Sequence, residues 1–161
     1  MRQWKIIAKE AMARASIITK FLCVLHVTNS YVLSSNHVLG PSMLPTLSVT
    51  GDVVLVEHIS HRLGKLGSGD LVLVRSPLDP KKSLTKRIVA MEGDKVTFSL
   101  DPSRSHSSRS LVVPKGHVWI QGDNLYVSRD SRQFGPLPYG LIEGKVFMRV
   151  WPPSSFGFFG Q

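Results

Sequence analysis

The sequence contains a single cysteine, Cys23, among its 161 residues. One cysteine excludes an internal disulfide framework and any zinc site that requires several thiolates. Acidic residues are also scarce, because 11 Asp and Glu stand against 20 Lys and Arg, which gives a formal net charge of +9. Hydrophobic residues make up 42% of the chain. That share is enough for one folded core, so a globular domain is predicted rather than a disordered chain.

The excess of positive charge is concentrated near the N-terminus. Residues 1–20 form a basic segment with five basic side chains and one acidic side chain, Glu10. After residue 20 the sequence has no basic run interleaved with aromatic residues, the pattern that indicates a nucleic-acid-binding surface. Nucleic acid is therefore not expected as a partner.

A long, strongly apolar run is missing, but residues 21–39 carry no formal charge. Nineteen helical residues would extend about 28 Å, close to the thickness of a bilayer core. Because this stretch includes several polar side chains, it is predicted to be a marginal membrane-anchor helix or an interfacial helix. A soluble amphipathic helix packed on the domain is the alternative. If the stretch spans, the basic segment stays on the inner side and the remaining chain lies on the opposite side.

The rest of the chain, residues 40–152, is predicted to be mainly β. Short β-branched runs separated by Gly and Pro turns are typical of a compact antiparallel sheet or barrel. A Ser-rich, aperiodic stretch at 99–110 is predicted to be an exposed loop, and residues 153–161 a loose tail. The predicted strands cover residues 52–58, 70–76, 86–92, 95–98, 111–114, 117–123 and 144–152.

Two segments carry residues suited to nucleophilic catalysis. In the first, Pro41 and Pro45 bracket Ser42 and restrict the backbone, so that the hydroxyl is held rigidly. A serine nucleophile requires a base, which can be a histidine of a Ser-His-Asp triad or a neutral lysine. His58, His61 and His117 are available but lie in no supporting motif. In the second segment, alternation along residues 84–90 places Lys86 on an apolar strand face, where burial would lower its pKa unless the side chain reaches water.

A third segment, residues 122–132, is dense in hydrogen-bonding groups and follows a predicted strand. Asp130 and Arg132 are able to pair and brace it, and Ser128 is able to orient a neutral lysine amine through a hydrogen bond. An ordinary polar surface loop would have the same composition.

Taken in order, these segments resemble the type I signal peptidase family of Ser-Lys proteases over residues 38–151. The ER members of that family have His where this chain has Lys86, so the resemblance is to the Ser-Lys branch. Short length, a weak anchor and the element at 76–80 are most similar to the mitochondrial inner-membrane members, and to the first of their two subunit types. The matching motifs are P-S-M-L-P-T at 41–46, G-D-L-V-L-V at 69–74, K-R-I-V-A-M-E-G-D at 86–94 and G-D-N…S-x-D-S-R…G at 122–135.

The resemblance implies roles for individual residues. Ser42 matches the nucleophile, Lys86 the general base and Ser128 the serine that orients the lysine, while Asp130 and Arg132 match a structural pair. Some bacterial members have an oxyanion-binding serine at the position of Gly40, so here backbone N–H groups are expected to bind the oxyanion. Met43 and Leu44 are expected to line the substrate site or to touch the membrane surface, and packing in the core is the alternative for both.

The resemblance also implies an activity and a location. A serine endopeptidase is expected to remove sorting sequences from precursor polypeptides, without metal or cofactor, at the mitochondrial inner membrane with its domain facing the intermembrane space. A second protease subunit is the expected partner. A non-catalytic subunit of such a complex and a plastid or bacterial signal peptidase remain alternatives. A repressor-like Ser-Lys autoprotease would need an N-terminal helix-turn-helix, which residues 1–39 do not provide.

Overall fold

A computed structural model describes residues 2–100 and 108–159. Within them, a long N-terminal helix precedes a mainly β domain, as predicted. The helices are α1 (Arg2–Tyr31) and α2 (Ser131–Phe134). The strands are β1 (Leu33–Val38), β2 (Asp52–Glu57), β3 (Leu71–Arg75), β4 (Ser83–Ala90), β5 (Lys95–Ser99), β6 (Ser108–Val112), β7 (His117–Gln121), β8 (Leu137–Pro138), β9 (Ile142–Trp151) and β10 (Gly157–Phe158).

The described strands form an antiparallel sheet in the order β1-β2-β9-β3-β4-β7-β8, with β10 added to β9. β5 and β6 form a separate two-stranded hairpin. All seven strands predicted from the sequence are present, because β-branched runs pair and pack well on a pleated surface. Buried side chains of β2, β3, β4, β7 and β9 fill the core between the faces of the curled sheet.

The predicted anchor boundary is wrong. The helix ends at Tyr31, and residues 33–38 of the predicted helix 21–39 form β1 instead. This segment pairs along its whole length with β2, from Leu33 opposite Glu57 to Val38 opposite Asp52. Pairing gives hydrogen-bond partners to the backbone N–H and C=O groups of β1 and β2. It also keeps the Ser- and Asn-rich side chains of β1 next to protein and water, because burying polar groups in lipid costs free energy.

The helix includes the basic segment rather than following it. Its span Ile6–Tyr31 is long and apolar enough to cross a membrane, and none of its apolar window is buried by the domain. Ile17, Phe21 and Val24 are all more than 60% exposed. An amphipathic helix packed on the domain would bury one face, so the structure contradicts that alternative.

Two further segments differ from expectation. Most of the predicted loop 99–110 lies outside the described residues, but its ends belong to β5 and β6. The predicted loose tail, residues 153–161, is instead ordered as far as Phe159. The reason is that Gly157 and Phe158 pair with β9. Phe159 also packs on the core and contacts Arg149 at 5.7 Å from its ring centroid. Apolar contacts that the sequence pattern does not reveal hold this short segment in place.

Candidate active site

Ser42 lies in a single 3-10 turn, Pro41–Met43, directly after β1. Gly40 enters this turn with a φ of 105°, a conformation that L side chains rarely adopt, so glycine is required there for a conformational reason. As a first-turn residue, Ser42 has an N–H with no intrahelical acceptor. The turn therefore presents a hydroxyl and a free backbone donor together.

Met43 does not line the cleft described below. It is 1% exposed and packs in the core with Leu47 and Val54. The physical reason is the 3-10 turn, which has three residues per turn and so directs consecutive side chains about 120° apart. Burial of Met43 thereby anchors the turn and leaves Ser42 half-buried at the cleft. Leu44 is half-buried and is absent from the residues that line the cleft described below.

Lys86 lies in the middle of β4 and is 2% exposed. Its amine makes no ion pair within the described residues. Burial lowers its pKa from 10.5 to about 8, partly opposed by the negative charge of Asp130 and assisted by the positive charge of Arg132. The predicted burial and pKa depression are thus both found. A lysine in this environment can give up its proton near neutral pH.

Ser42 and Lys86 line the same cleft, which has a volume of about 380 Å³. A volume in this range suits an extended peptide segment or a small ligand. Asp79, Lys82 and Arg129 also border it, so the 76–80 element lies at the cleft. Its apolar walls come from Leu39, Pro41, Leu78, Leu84, Val127 and Phe134.

The loop 122–132 is bound directly to the serine turn. Asn124 donates its backbone N–H to the carbonyl of Ser42 at 3.1 Å. A side chain at Gly122 would collide with the Ser128 side chain and the Ser42 carbonyl. Gly122 is therefore a residue that the sequence analysis missed, and a glycine at the end of a strand is the signal that marks such a close approach.

Ser128 is 3% exposed, and its hydroxyl forms no hydrogen bond of ordinary geometry among the residues that the structure describes, although it lies close enough to Asp130 to help lower the pKa of that carboxyl. The expected hydrogen bond from Ser128 to the amine of Lys86 is not formed.

Asp130 and Arg132 form the predicted pair. Arg132 Nε donates to Asp130 Oδ1 at 2.8 Å and Nη2 donates to Oδ2 at 2.9 Å, with side-chain exposures of 4% and 0%. Asp130 also accepts the N–H of Gly122 at 3.0 Å and caps α2. Burial alone would raise the pKa of Asp130, but these donors outweigh it and hold the pKa below its usual value. The pair fixes the loop beside Ser42.

A second brace was not predicted. Arg87 donates through Nε to Asp123 Oδ1 at 2.9 Å and through Nη2 to Asp123 Oδ2 at 2.8 Å. Asp123 also accepts a hydrogen bond from Thr46. These contacts join β4, the 122–132 loop and the segment just after the serine turn on the face opposite Lys86. Arg87 follows Lys86 in β4 and therefore points to the opposite face, but its partner lies 36 positions away and only the fold brings the two together.

The three histidines considered for a triad lie elsewhere. His58 contacts Ser34 Oγ at 2.8 Å and the carbonyl of Glu143 at 2.7 Å. Neither it nor His61 or His117 lines the cleft with Ser42. His37 borders a smaller cavity beside Ser42, but its ring packs against Gly51. Among residues 2–100 and 108–159, no group of three or more metal-ligating side chains is found.

Comparison with known proteins identifies the family of this chain. The model of the family described as "Signal peptidase, peptidase S26" matches residues 11–104 and 98–151. The chain is 64% identical over 157 residues to the mitochondrial ATP-independent inner membrane protease subunit 1a of Arabidopsis thaliana, covering 98% of this chain and 94% of the relative. It is 44% identical over 149 residues to the mitochondrial inner membrane protease subunit 1 of Mus musculus, covering 92% and 88%.

Among solved structures, a signal peptidase I from Enterococcus faecalis matches with a TM-score of 0.43 and 22% identity, over 50% of this chain and 96% of that chain.

Proposed function

Because the chain belongs to the peptidase S26 signal peptidase family, we propose that it is a membrane-anchored serine endopeptidase that uses a Ser42–Lys86 dyad. Its substrates are precursor proteins whose N-terminal sorting sequences it removes in mitochondria. One observation carries the dyad: Ser42 and a buried lysine, which has no carboxylate partner among the described residues, line the same cleft. No metal or organic cofactor is assigned a part in the reaction.

The mechanism follows from these two residues. Neutral Lys86 Nζ accepts the proton of Ser42 Oγ as the oxygen forms a bond to the substrate carbonyl carbon. The N–H of Ser42 donates to the resulting oxyanion. The protonated amine then gives its proton to the leaving nitrogen as the peptide bond breaks. Water hydrolyses the acyl-enzyme in a second cycle with the same base, and Ser42 is regenerated.

The substrate binds in an extended conformation. The outer edge of β1 is unpaired within the described sheet and leads directly to Gly40, so a peptide added to it would pass Ser42. The apolar cleft walls favour small or apolar side chains near the cleaved bond. Ser128 takes the role of positioning the lysine amine when substrate excludes water from the cleft.

Location and partner are proposed from the relatives. The α1 helix anchors the protein in the mitochondrial inner membrane, and the β domain faces the intermembrane space. Relatives named as both subunits are similar to this chain, at 44% identity for mouse subunit 1 and 33% for mouse subunit 2. We therefore assign this chain the role of the first subunit, working with a second protease subunit.

The test is cleavage of a membrane-anchored precursor by wild-type chain, Ser42→Ala and Lys86→Ala, each reconstituted in lipid with and without a second subunit. Both variants are expected to fold and to lose at least ~10³-fold in rate. Near-full activity in either variant contradicts the dyad. An inert wild-type chain with all precursors and partners tested would favour a non-catalytic subunit. Import into isolated mitochondria or plastids separates the two organelles.

A further inference from the structure

The turn between β2 and β3, residues 58–65, contacts the end of the membrane helix. The backbone N–H of His58 donates to the carbonyl of Val32 at 2.9 Å. Arg62 Nη1 donates to the carbonyl of Tyr31 at 3.3 Å, and its guanidinium lies 5.5 Å from the centroid of the Tyr31 ring. The turn is thus held where the helix meets the domain.

The exposed side of this turn is apolar and cationic. Ile59 and Leu63 are 45% and 60% exposed, and the hydrogen bond from Leu63 N–H to the Ile59 carbonyl places them one helical turn apart. Arg62 and Lys65 are exposed beside them. Neither cation has a carboxylate partner within the described residues.

The turn is rigid, so its exposed apolar side chains are not a consequence of loose packing. Glu57 Oε2 accepts the backbone N–H groups of Ile59 and Ser60 at 2.8 and 2.9 Å. Tyr139 donates its hydroxyl to the carbonyl of His61 at 3.0 Å. These bonds hold Ile59 and Leu63 on the outside of the domain.

The helix end lies at the depth of lipid headgroups when α1 spans a bilayer. Polar residues at 28–30 follow the apolar part of the helix, and Tyr31 ends it. Tyrosine is enriched at membrane–water interfaces, where its hydroxyl meets water and its ring meets lipid. Because the turn touches Tyr31 and Val32, it lies at the same depth.

We propose that the turn 58–65 docks on the surface of the bilayer as a second membrane contact. Ile59 and Leu63 enter the boundary between headgroups and acyl chains, and Arg62 and Lys65 bind the phosphates of anionic lipids. The proposal rests on membrane anchoring through α1, which belongs to the proposed function. Two contacts, rather than one flexible joint, would fix the height and orientation of the catalytic cleft above the membrane.

The experiment measures membrane depth in the full chain. The single cysteine is removed by Cys23→Ser, and Leu63→Cys or Val112→Cys introduces one site for a nitroxide label. Val112 is a matched control, since it is 59% exposed on the β5–β6 hairpin. Relaxation by oxygen and by a water-soluble nickel chelate is measured in vesicles of phosphatidylcholine and in vesicles of equal parts phosphatidylcholine and phosphatidylglycerol.

The label at position 63 is expected to be oxygen-accessible and chelate-protected, and the label at 112 to be water-exposed. Each cation near an anionic surface contributes about five-fold to binding. Arg62→Glu with Lys65→Glu is therefore expected to lower the ratio of docked to undocked turn at least ~25-fold in mixed vesicles. The equal charge change Lys95→Glu with Arg109→Glu on the hairpin is expected to leave that ratio unchanged.

Equal water exposure at positions 63 and 112 in both vesicles would overturn the proposal. Protection at 63 that persists in detergent, and is lost when a second subunit is removed, would assign the surface to a protein partner and also overturn it. Docking that survives the Arg62 and Lys65 reversals would overturn the lipid-phosphate contact. Cleavage of a soluble peptide, measured alongside, stays at the wild-type rate if only docking fails, which separates this outcome from failure of the dyad.

Discussion

The two faces of β4 make opposite use of neighbouring cations. Lys86 points into the cleft side, is 2% exposed and has no carboxylate partner in the described structure. Arg87 points to the other side, where it forms a two-point bridge to Asp123 and donates to the carbonyl of Gly69 at 2.8 Å. Burial lowers the pKa of Lys86, whereas the hydrogen bonds that Arg87 donates to the Asp123 carboxylate raise the pKa of Arg87.

The comparison shows that the surroundings of a basic side chain, rather than its positive charge alone, decide whether it can accept a proton or instead holds segments of the fold together. A lysine deprived of water and of a counter-ion becomes a base. An arginine that faces a carboxylate stays charged and holds three segments together. One strand therefore carries the proposed catalytic base on one face and, on the other, an arginine that braces the segment next to the proposed nucleophile.

The difference between Lys86 and Arg87 is tested most directly by replacing each of them with methionine. Lys86→Met and Lys86→Arg are each expected to lower precursor cleavage at least ~10³-fold, because neither side chain can accept the serine proton near neutral pH. Arg87→Met removes a partly exposed ion pair and is expected to cost only about five-fold. Cleavage rates of the three purified variants measure this difference.

Urea unfolding of the Lys86 variants shows whether a loss of cleavage reflects a lost base or a misfolded protein. Lys86→Met should unfold at a urea concentration at least equal to that of wild type, since an apolar chain of similar length replaces a buried amine. Lys86→Arg should unfold earlier, because a guanidinium cannot discharge. A wild-type rate for Lys86→Arg would disprove the base assignment.

The next largest effect compares the two carboxylates that brace the loop. Asp130→Asn leaves Arg132 buried without its counter-ion, and a loss of about 3–5 kcal/mol in the free energy of unfolding is expected. Asp123→Asn acts on a pair with side-chain exposures of 30% and 16%, so about 1 kcal/mol is expected. Urea unfolding of both variants tests the ranking, and equal losses would show that burial does not distinguish the two braces.

The smallest effect is the pH dependence of cleavage. Only neutral Lys86 can act as the base, and with a pKa of about 8 roughly a tenth of it is neutral at pH 7. The value of kcat/KM should rise about tenfold per pH unit below 8 and level off above it. In Asp123→Asn the midpoint should move down, because the Asp123 charge raises the pKa of Lys86. An activity optimum below pH 6 would contradict the mechanism.

The local sequence pattern was sufficient to predict the strands and the strand face on which Lys86 lies. It was not sufficient to predict the edge strand β1 or the ion-pair partner of Arg87. β1 was missed because a short polar segment becomes a strand only when the open edge of β2 is available to it. Met43 packs in the core, the alternative left open for it, because a 3-10 turn sends adjacent side chains in different directions. Asp123 gave no signal of its partnership with Arg87, since ion pairs between distant segments leave no periodic trace in a sequence.

The sequence by itself determined the strand-rich domain, the apolar helix, the order of the motifs and the presence of a serine and a lysine suited to catalysis. These features depend on short-range alternation, turn residues and composition, which act between near neighbours in the chain. Only the tertiary structure decided that Ser42 and Lys86 share a cleft, that Gly122 lets the 122–132 loop approach, and where the helix ends. Those outcomes depend on burial and on contacts between segments far apart in sequence, and both arise only when the sheet closes around its core.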